Sequence, residues 1–169
     1  MSTINRSPIR RLLIVLSAAA TAAVFLANPA SAEPNPVNVC NSGSGFVMCF
    51  SLDRIQLGGD INVHLGIDVA MSREEAQAII DHPGDEFSAK VIGEDPAFDN
   101  SLVSVPVTWS AAGDNGLSAE FDMVATWSQL NEDDGFFDGY IDDLFGRIVL
   151  TKPDGQKRTF NSTTIHGYY

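Results

Sequence analysis

The sequence has few positive charges, only two cysteines and a modest share of aromatic residues. Ten Lys and Arg residues stand against 22 Asp and Glu residues, so the 169-residue chain has a formal net charge of −12. Nucleic acids and anionic membrane surfaces repel such a chain, and neither is an expected partner. The acidic excess favours solubility outside the cell, or a preference for cations and basic partners.

The sequence also lacks the short motifs that mark common catalytic and cofactor sites. No G-x-S-x-G segment is present, and Ser44 lies in a Gly-Ser-Gly turn without the strand and helix that such a nucleophile requires. The histidines, His64, His82 and His166, stand neither in H-E-x-x-H nor in a zinc-finger spacing. Gly58-Gly59 lacks the further glycines and the lysine of a phosphate-binding loop. Nucleophilic, zinc-dependent and nucleotide-dependent catalysis are therefore not expected.

Long hydrophobic runs are absent except near the N-terminus, where Leu12 to Ala27 is an unbroken run of 16 apolar or small residues. It follows Arg10-Arg11 and precedes Ala30-Ser31-Ala32, which is typical of a cleaved secretory signal. The alternative is a membrane anchor, but a spanning helix needs about 20 residues. We expect removal of residues 1–32, which takes three cations and no acid. Residues 33–169 then form one extracellular domain with a net charge of −15.

Cysteine occurs only as Cys40 and Cys49, on either side of the turn-rich segment 41–45. In an exported chain, two cysteines at this spacing predict one disulfide that staples a hairpin. A catalytic thiol or a metal-binding pair is less favoured, because no third soft ligand lies nearby in the sequence.

Alternation of apolar and polar residues dominates the rest of the chain. It is clearest over 61–69, where the odd positions are apolar and the even positions are Asn, His, Gly and Asp. This period predicts a strand with one buried face and one wet face. Ser72 and Glu75 form a capping box that begins the one expected helix. The whole pattern predicts an all-β fold, an antiparallel β-sandwich of about seven or eight strands, with a small β-barrel as the alternative. Besides 61–69, the expected strands are 37–41, 46–52, 87–92, 102–109, 117–127, 145–151 and 156–161.

The most acidic stretch is 131–143, which has six carboxylates and no Lys or Arg in thirteen residues. Such carboxylates repel one another unless they are spread in water or share a cation, and Ca²⁺ takes six to eight oxygen ligands. The stretch does not match an EF-hand, because Phe145 stands where the closing Glu belongs. A calcium site would therefore combine this loop with the acidic loop 94–100, and the alternative is a solvated acidic surface. The predicted ligands are Asp133, Asp134, Asp138, Asp95 and Asp99.

Three functions fit these features. The first is a secreted, non-enzymatic binding or interaction module that meets an extracellular or envelope partner through its acidic loops. The second is a small secreted hydrolase with paired carboxylates, for which Asp68, Glu120 and Asp122 are the candidates on strand faces. The third is a cell-envelope structural protein whose acidic face holds divalent cations. His64 and Asp68 are second neighbours on the wet face of 61–69 and suit a metal or acid–base role, although an ordinary exposed strand face is the simpler interpretation.

Overall fold

The structure is a computed structural model, and it describes residues 37–55, 59–95, 98–131 and 142–167. Within these residues the chain forms ten strands and two helices, so two or three strands and one helix exceed the expectation. The helices are α1 (Arg73–Ile80) and α2 (Trp127–Leu130). The strands are β1 (Val37–Gly43), β2 (Phe46–Arg54), β3 (Asp60–Val69), β4 (Phe87–Gly93), β5 (Asn100–Val105), β6 (Val107–Gly113), β7 (Gly116–Thr126), β8 (Asp142–Thr151), β9 (Lys157–Asn161) and β10 (Ile165–Gly167).

The strands form two antiparallel sheets of five strands each. The first sheet has the order β1-β2-β3-β7-β6, and the second has the order β10-β8-β4-β5, with β9 also paired to β8. The described residues form no closed barrel. The predicted β-sandwich is therefore confirmed, and the barrel alternative is not adopted.

The core lies between the sheets because alternate residues of each strand point inward. In β3 all the odd-numbered residues from Ile61 to Val69 are buried, as the period-two pattern predicts. The sheets come close where Gly146 of β8 faces Leu65 of β3. A Cβ added at Gly146 would lie 2.3 Å from Leu65 Cδ2, so only glycine allows this approach.

Helix α1 begins at the predicted N-cap, Ser72, but only half of the capping box forms, because Glu75 Oε1 accepts from Lys152 Nζ at 2.6 Å. The backbone N–H of Glu75 donates to Ser72 Oγ at 3.1 Å, and Ser72 has the extended conformation of an N-cap residue. Ala76 and Ile79 are buried, and the helix lies against β6 and β7. None of the helices in the described ranges is long and apolar enough to cross a membrane.

The expectation of a single strand over 102–109 is wrong. Pro106 divides it into β5, at the edge of the second sheet, and β6, at the edge of the first. Proline has no N–H to donate to a strand ladder, so the chain leaves one sheet there and joins the other. The predicted strand 117–127 is found as β7, displaced by one residue to Gly116–Thr126, and α2 begins at Trp127.

The predicted disulfide is confirmed. Cys40 of β1 lies directly opposite Cys49 of β2, and the two sulfurs are bonded at 2.06 Å. The bond staples the first hairpin of the sandwich, as the spacing of the cysteines predicts. The expected signal segment, residues 1–32, lies outside the described residues.

Candidate functional site

The outer face of the first sheet brings three cross-strand pairs together at its centre. Antiparallel pairing of β3 with β7 sets His64 opposite Asp122, Gly66 opposite Glu120, and Asp68 opposite Ser118. These positions alternate with the buried core residues, so their side chains point away from the other sheet. The strand period thus places three acidic residues, one histidine, one serine and one glycine in adjacent rows.

Trp109 of β6 joins this face through a β-bulge. Val107 pairs with Phe121 and Trp109 pairs with Glu120, so Thr108 is the extra residue on β6. Without the extra residue, strict alternation would give Trp109 a different partner on β7. The bulge sets the indole beside Glu120, where it is 49% exposed.

These residues surround a groove of about 380 Å³, which we call the first-sheet groove. Gly66 lies at the centre of the face, and its missing side chain leaves space between the neighbouring rows. The lining combines an indole ring, three aliphatic residues, one cysteine of the disulfide, an imidazole, a serine and two carboxylates, which is a mixed apolar and anionic surface. It comprises Val47, Cys49, His64, Gly66, Ile67, Asp68, Trp109, Ser118, Ala119 and Glu120.

His64 is held at one end of the groove by Asp122. The ring Nδ1 lies 2.7 Å from Asp122 Oδ1, and the Thr108 hydroxyl donates to Asp122 Oδ2 at 2.5 Å. A carboxylate can only accept a hydrogen bond, so the His64 proton lies on Nδ1. The other ring nitrogen, Nε2, faces Gly66 and would be 3.5 Å from a Cβ added there. The neutral ring therefore presents a hydrogen-bond acceptor to the groove.

The same contacts change the acidity of Asp122. Partial burial raises the pKa of Asp122, but hydrogen bonds from Thr108 and His64, together with attraction to a charged His64, lower it by more. The net pKa lies below the ordinary value, so Asp122 stays ionised at neutral pH. It can orient the imidazole permanently and keep negative charge beside the groove.

The two carboxylates that line the groove, those of Asp68 and Glu120, have few or no hydrogen-bond partners. The Ser118 hydroxyl donates to Asp68 Oδ1 at 2.5 Å, which leaves the second oxygen of Asp68 uncommitted by that bond. The carboxylate of Glu120 forms no hydrogen bond or ion pair with any of the described residues, although the backbone carbonyl of Glu120 lies 3.2 Å from the Thr108 hydroxyl. Among those residues, the outward positions of the first sheet hold no Lys or Arg. The acids there are Asp53, Asp60, Asp68, Glu120 and Asp122.

The sequence-predicted candidates divide into two groups. Asp68, Glu120 and Asp122, proposed for a hydrolase, lie on neighbouring strands of one face, and His64 lies among them. The predicted calcium ligands Asp133, Asp134 and Asp138 lie outside the described residues.

The other two predicted calcium ligands, Asp95 and Asp99, are described. Asp99 forms an ion pair with Arg147, with Oδ2 and Nη2 3.0 Å apart. No group of three or more His, Cys, Asp or Glu residues within the described ranges is arranged to hold a metal ion. The two-loop calcium site stays a prediction.

Sequence reasoning missed Gly66 and Trp109 as parts of the site. Gly66 could have been found, because a glycine on the wet face of a regular strand leaves an opening between its neighbours. Trp109 could not be placed there, because Pro106 suggests only an edge position or a bulge, and the row of Trp109 depends on which residues of β7 lie opposite β6. Searches of protein-family models, curated proteins and solved structures found no match for this chain.

Proposed function

We propose that this chain is an extracellular binding module that holds a positively charged group of its partner in the first-sheet groove. The observation that carries the proposal is the position of Glu120. Its carboxylate has no partner among the described residues, it lies opposite Gly66, and it is paired across the sheet with an exposed indole. This is an anionic and aromatic surface that is left open to solvent.

A cationic group fits this surface better than a neutral or anionic one. An ammonium or guanidinium over an indole face contributes roughly 0.5–1 kcal/mol at exposed sites and about 2 kcal/mol when desolvated. Charge-assisted hydrogen bonds to Asp68 and Glu120 would add to this attraction. Arginine combines both interactions best, because its planar guanidinium stacks on aromatic rings and pairs with carboxylates. The predicted net charge of −15 would also draw basic partners toward the protein.

An extracellular location is supported by two features. The first 32 residues have the sequence pattern of a secretory signal. The Cys40–Cys49 bond suits an oxidising compartment, because such bonds are rare in reducing cytoplasm. We therefore seek the partner among basic segments of secreted or envelope proteins.

Binding of a labelled peptide tests the proposal. Fluorescence anisotropy would compare a short peptide that contains two arginines with the same peptide containing two citrullines, which are neutral and similar in shape. We expect the arginine peptide to bind and Glu120→Gln to weaken it at least fivefold. Asp53→Asn is the matched control, because it removes one charge from an outward position of the same sheet outside the groove. Equal binding of both peptides, or equal losses in both variants, would rule out the proposed site.

A small hydrolase is the second candidate, favoured by the His64–Asp122 pair. A carboxylate orients the imidazole, and Nε2 faces the groove with its acceptor lone pair, which suits a general base acting on water. Screening on glycans and esters tests this alternative. Turnover that is lost in His64→Gln and in Asp122→Asn would replace the binding module with an enzyme.

A further inference from the structure

The outer face of the second sheet carries two cations side by side. Lys90 of β4 lies directly opposite Arg147 of β8 in the antiparallel register. Like charges in this position repel and destabilise a sheet unless an anion lies between them. This juxtaposition is notable because residues 33–169 contain only seven Lys and Arg against 22 acids.

The pair borders a second groove of about 250 Å³, which we call the second-sheet groove. Around the two cations the lining has the hydroxyls of two serines, two aliphatic side chains and one carboxylate. Such a surface can neutralise an anion and also offer it neutral donors. The lining residues are Ser88, Lys90, Ile92, Asp99, Ser101, Arg147 and Val149.

Arg147 is held in place from three sides. Its Nε donates to Asn161 Oδ1 at 3.0 Å, and its Nη2 donates to Asp99 Oδ2 at 3.0 Å. The guanidinium carbon also lies 5.1 Å from the centre of the Phe145 ring. Two of these three contacts do not involve Asp99. The guanidinium would therefore keep its orientation if Asp99 moved away.

Lys90 is in a different situation. Its side chain is exposed, and its ammonium forms no hydrogen bond or ion pair with any of the described residues. Among the described residues that line the groove, Asp99 is the only acid, and it is ion-paired with Arg147. Glu94 lines the adjoining groove rather than this one, and its carboxylate accepts the Thr164 hydroxyl at 2.6 Å. The described lining residues therefore carry two positive charges and one negative charge, so one positive charge is not balanced within the lining.

We propose that the second-sheet groove binds a carboxylate group of an acidic partner, which takes the place of Asp99 on Arg147. The ion pair with Asp99 shows that the Arg147 guanidinium can bind a carboxylate in this position. A planar carboxylate matches the fork of a guanidinium, and its second oxygen would be available to Lys90. Asp99 then acts as an internal competitor that occupies the site until a partner displaces it.

The negative charge of the whole molecule does not prevent this binding. At physiological ionic strength, exposed charges are screened beyond about 8 Å, so a bound carboxylate responds mainly to Lys90, Arg147 and Asp99. Binding of the carboxylate therefore depends on short-range contacts within the groove and involves no long-range attraction. This proposal does not rest on the first-sheet groove, which lies on the opposite sheet.

The test uses a fluorescein-labelled hexaglutamate peptide at fixed physiological ionic strength, with anisotropy as the readout. We expect Lys90→Gln to weaken binding at least fivefold and Asp99→Asn to strengthen it at least threefold. Lys157→Gln is the matched control, because Lys157 is exposed on β9 of the same sheet but lies outside the groove. It should change affinity less than twofold. Thermal melts of all variants check that they are folded.

Three results would overturn the proposal. Asp99→Asn binding no better than the unmodified protein would show that Asp99 does not compete for the site. Equal losses in Lys90→Gln and Lys157→Gln would show that only the overall charge matters. Displacement of the peptide by inorganic sulfate or phosphate at lower concentrations than acetate would show that the groove is not selective for carboxylates.

Discussion

His64, Thr108 and Asp122 form a hydrogen-bonded set in which each contact has a distinct effect. The Thr108 hydroxyl and the His64 ring each satisfy one oxygen of the same carboxylate. Both contacts favour the ionised form of Asp122 and outweigh its partial burial, which favours the neutral form. Because the folded-state pKa of Asp122 lies below the ordinary value, ionisation of this group stabilises the fold.

Removing the Thr108 hydroxyl tests this account. In Thr108→Val, the pKa of Asp122 should rise because one donor to its charged form is lost. The stabilisation by Asp122 is present above the unfolded-state pKa of about 4, and it is lost as the pH falls through the lower folded-state value. The variant should therefore lose less stability than the unmodified protein as the pH falls below about 4.

Carboxyl NMR titration measures the Asp122 midpoint directly, and acid unfolding measures its effect on stability. Ser118→Ala is the control, since it removes the hydroxyl that donates to Asp68 and leaves the contacts of Asp122 intact. The same Asp122 midpoint in Thr108→Val and in Ser118→Ala would contradict the assigned role of Thr108.

At the scale of elements, the sequence predicted those parts of the fold that depend on local patterns. The alternation in β3 predicted a strand with one buried face, and Ser72 with Glu75 predicted the start of α1. The placement of His64 and Asp68 on one wet face followed from the same alternation. Strand period and helix capping involve residues a few positions apart, so they can be recognised without knowing the tertiary structure.

Features that depend on pairing between strands could not be predicted in this way. The crossing between sheets at Pro106 and the bulge at Thr108 both depend on which strand lies alongside. The sequence marked Glu120 and Asp122 as strand-face acids, but only the pairing of β3 with β7 sets them opposite Gly66 and His64. The candidate site was therefore predicted as separate residues, without the groove that they surround.

Two glycine substitutions test the packing of these elements. Gly146→Ala would place a Cβ 2.3 Å from Leu65 Cδ2 and 3.3 Å from Met48 Cε, inside the core. We expect a loss of about 1–3 kcal/mol in the free energy of unfolding, because overpacking forces neighbouring side chains to shift. Gly66→Ala is the control on the outer face, where the added Cβ meets only His64 Nε2, at 3.5 Å.

Urea denaturation of both variants provides the comparison. Gly66→Ala should leave stability unchanged or slightly raised, because it adds a side chain to a strand without a close contact. Equal stability of Gly146→Ala and the unmodified protein would show that the sheets are not packed closely at this position.

At the scale of the molecule, the acidic excess makes calcium binding the main prediction for the loops 94–100 and 131–143. Calcium would stabilise the fold by about 2.7 kcal/mol at a hundredfold excess over its Kd, which raises the melting temperature by several degrees. Because Asp99 is ion-paired with Arg147, the test changes two other predicted ligands. We expect the double substitution Asp134→Asn and Asp138→Asn to remove the calcium-dependent rise in melting temperature. Sodium chloride at matched ionic strength is the control for charge screening.

Thermal melts in calcium and in chelator test whether the loops bind calcium. Equal melting temperatures would show that the loops are a solvated acidic surface. A higher melting temperature in calcium than in chelator would support a role in the cell envelope. In that case, association with the cell wall that a chelator releases would favour a structural protein, whereas free secretion would favour the binding module.

The first-sheet groove as a site for a cationic group is the central claim, and NMR titration of the ¹⁵N-labelled protein tests it most directly. On addition of the arginine peptide, we expect the largest shift changes at the Gly66 and Glu120 amides and at the Trp109 indole N–H. The Lys90 amide, on the opposite sheet, should not respond, and the citrulline peptide should leave all four signals in place. Changes spread over both sheets, or equal changes with the two peptides, would contradict the claim.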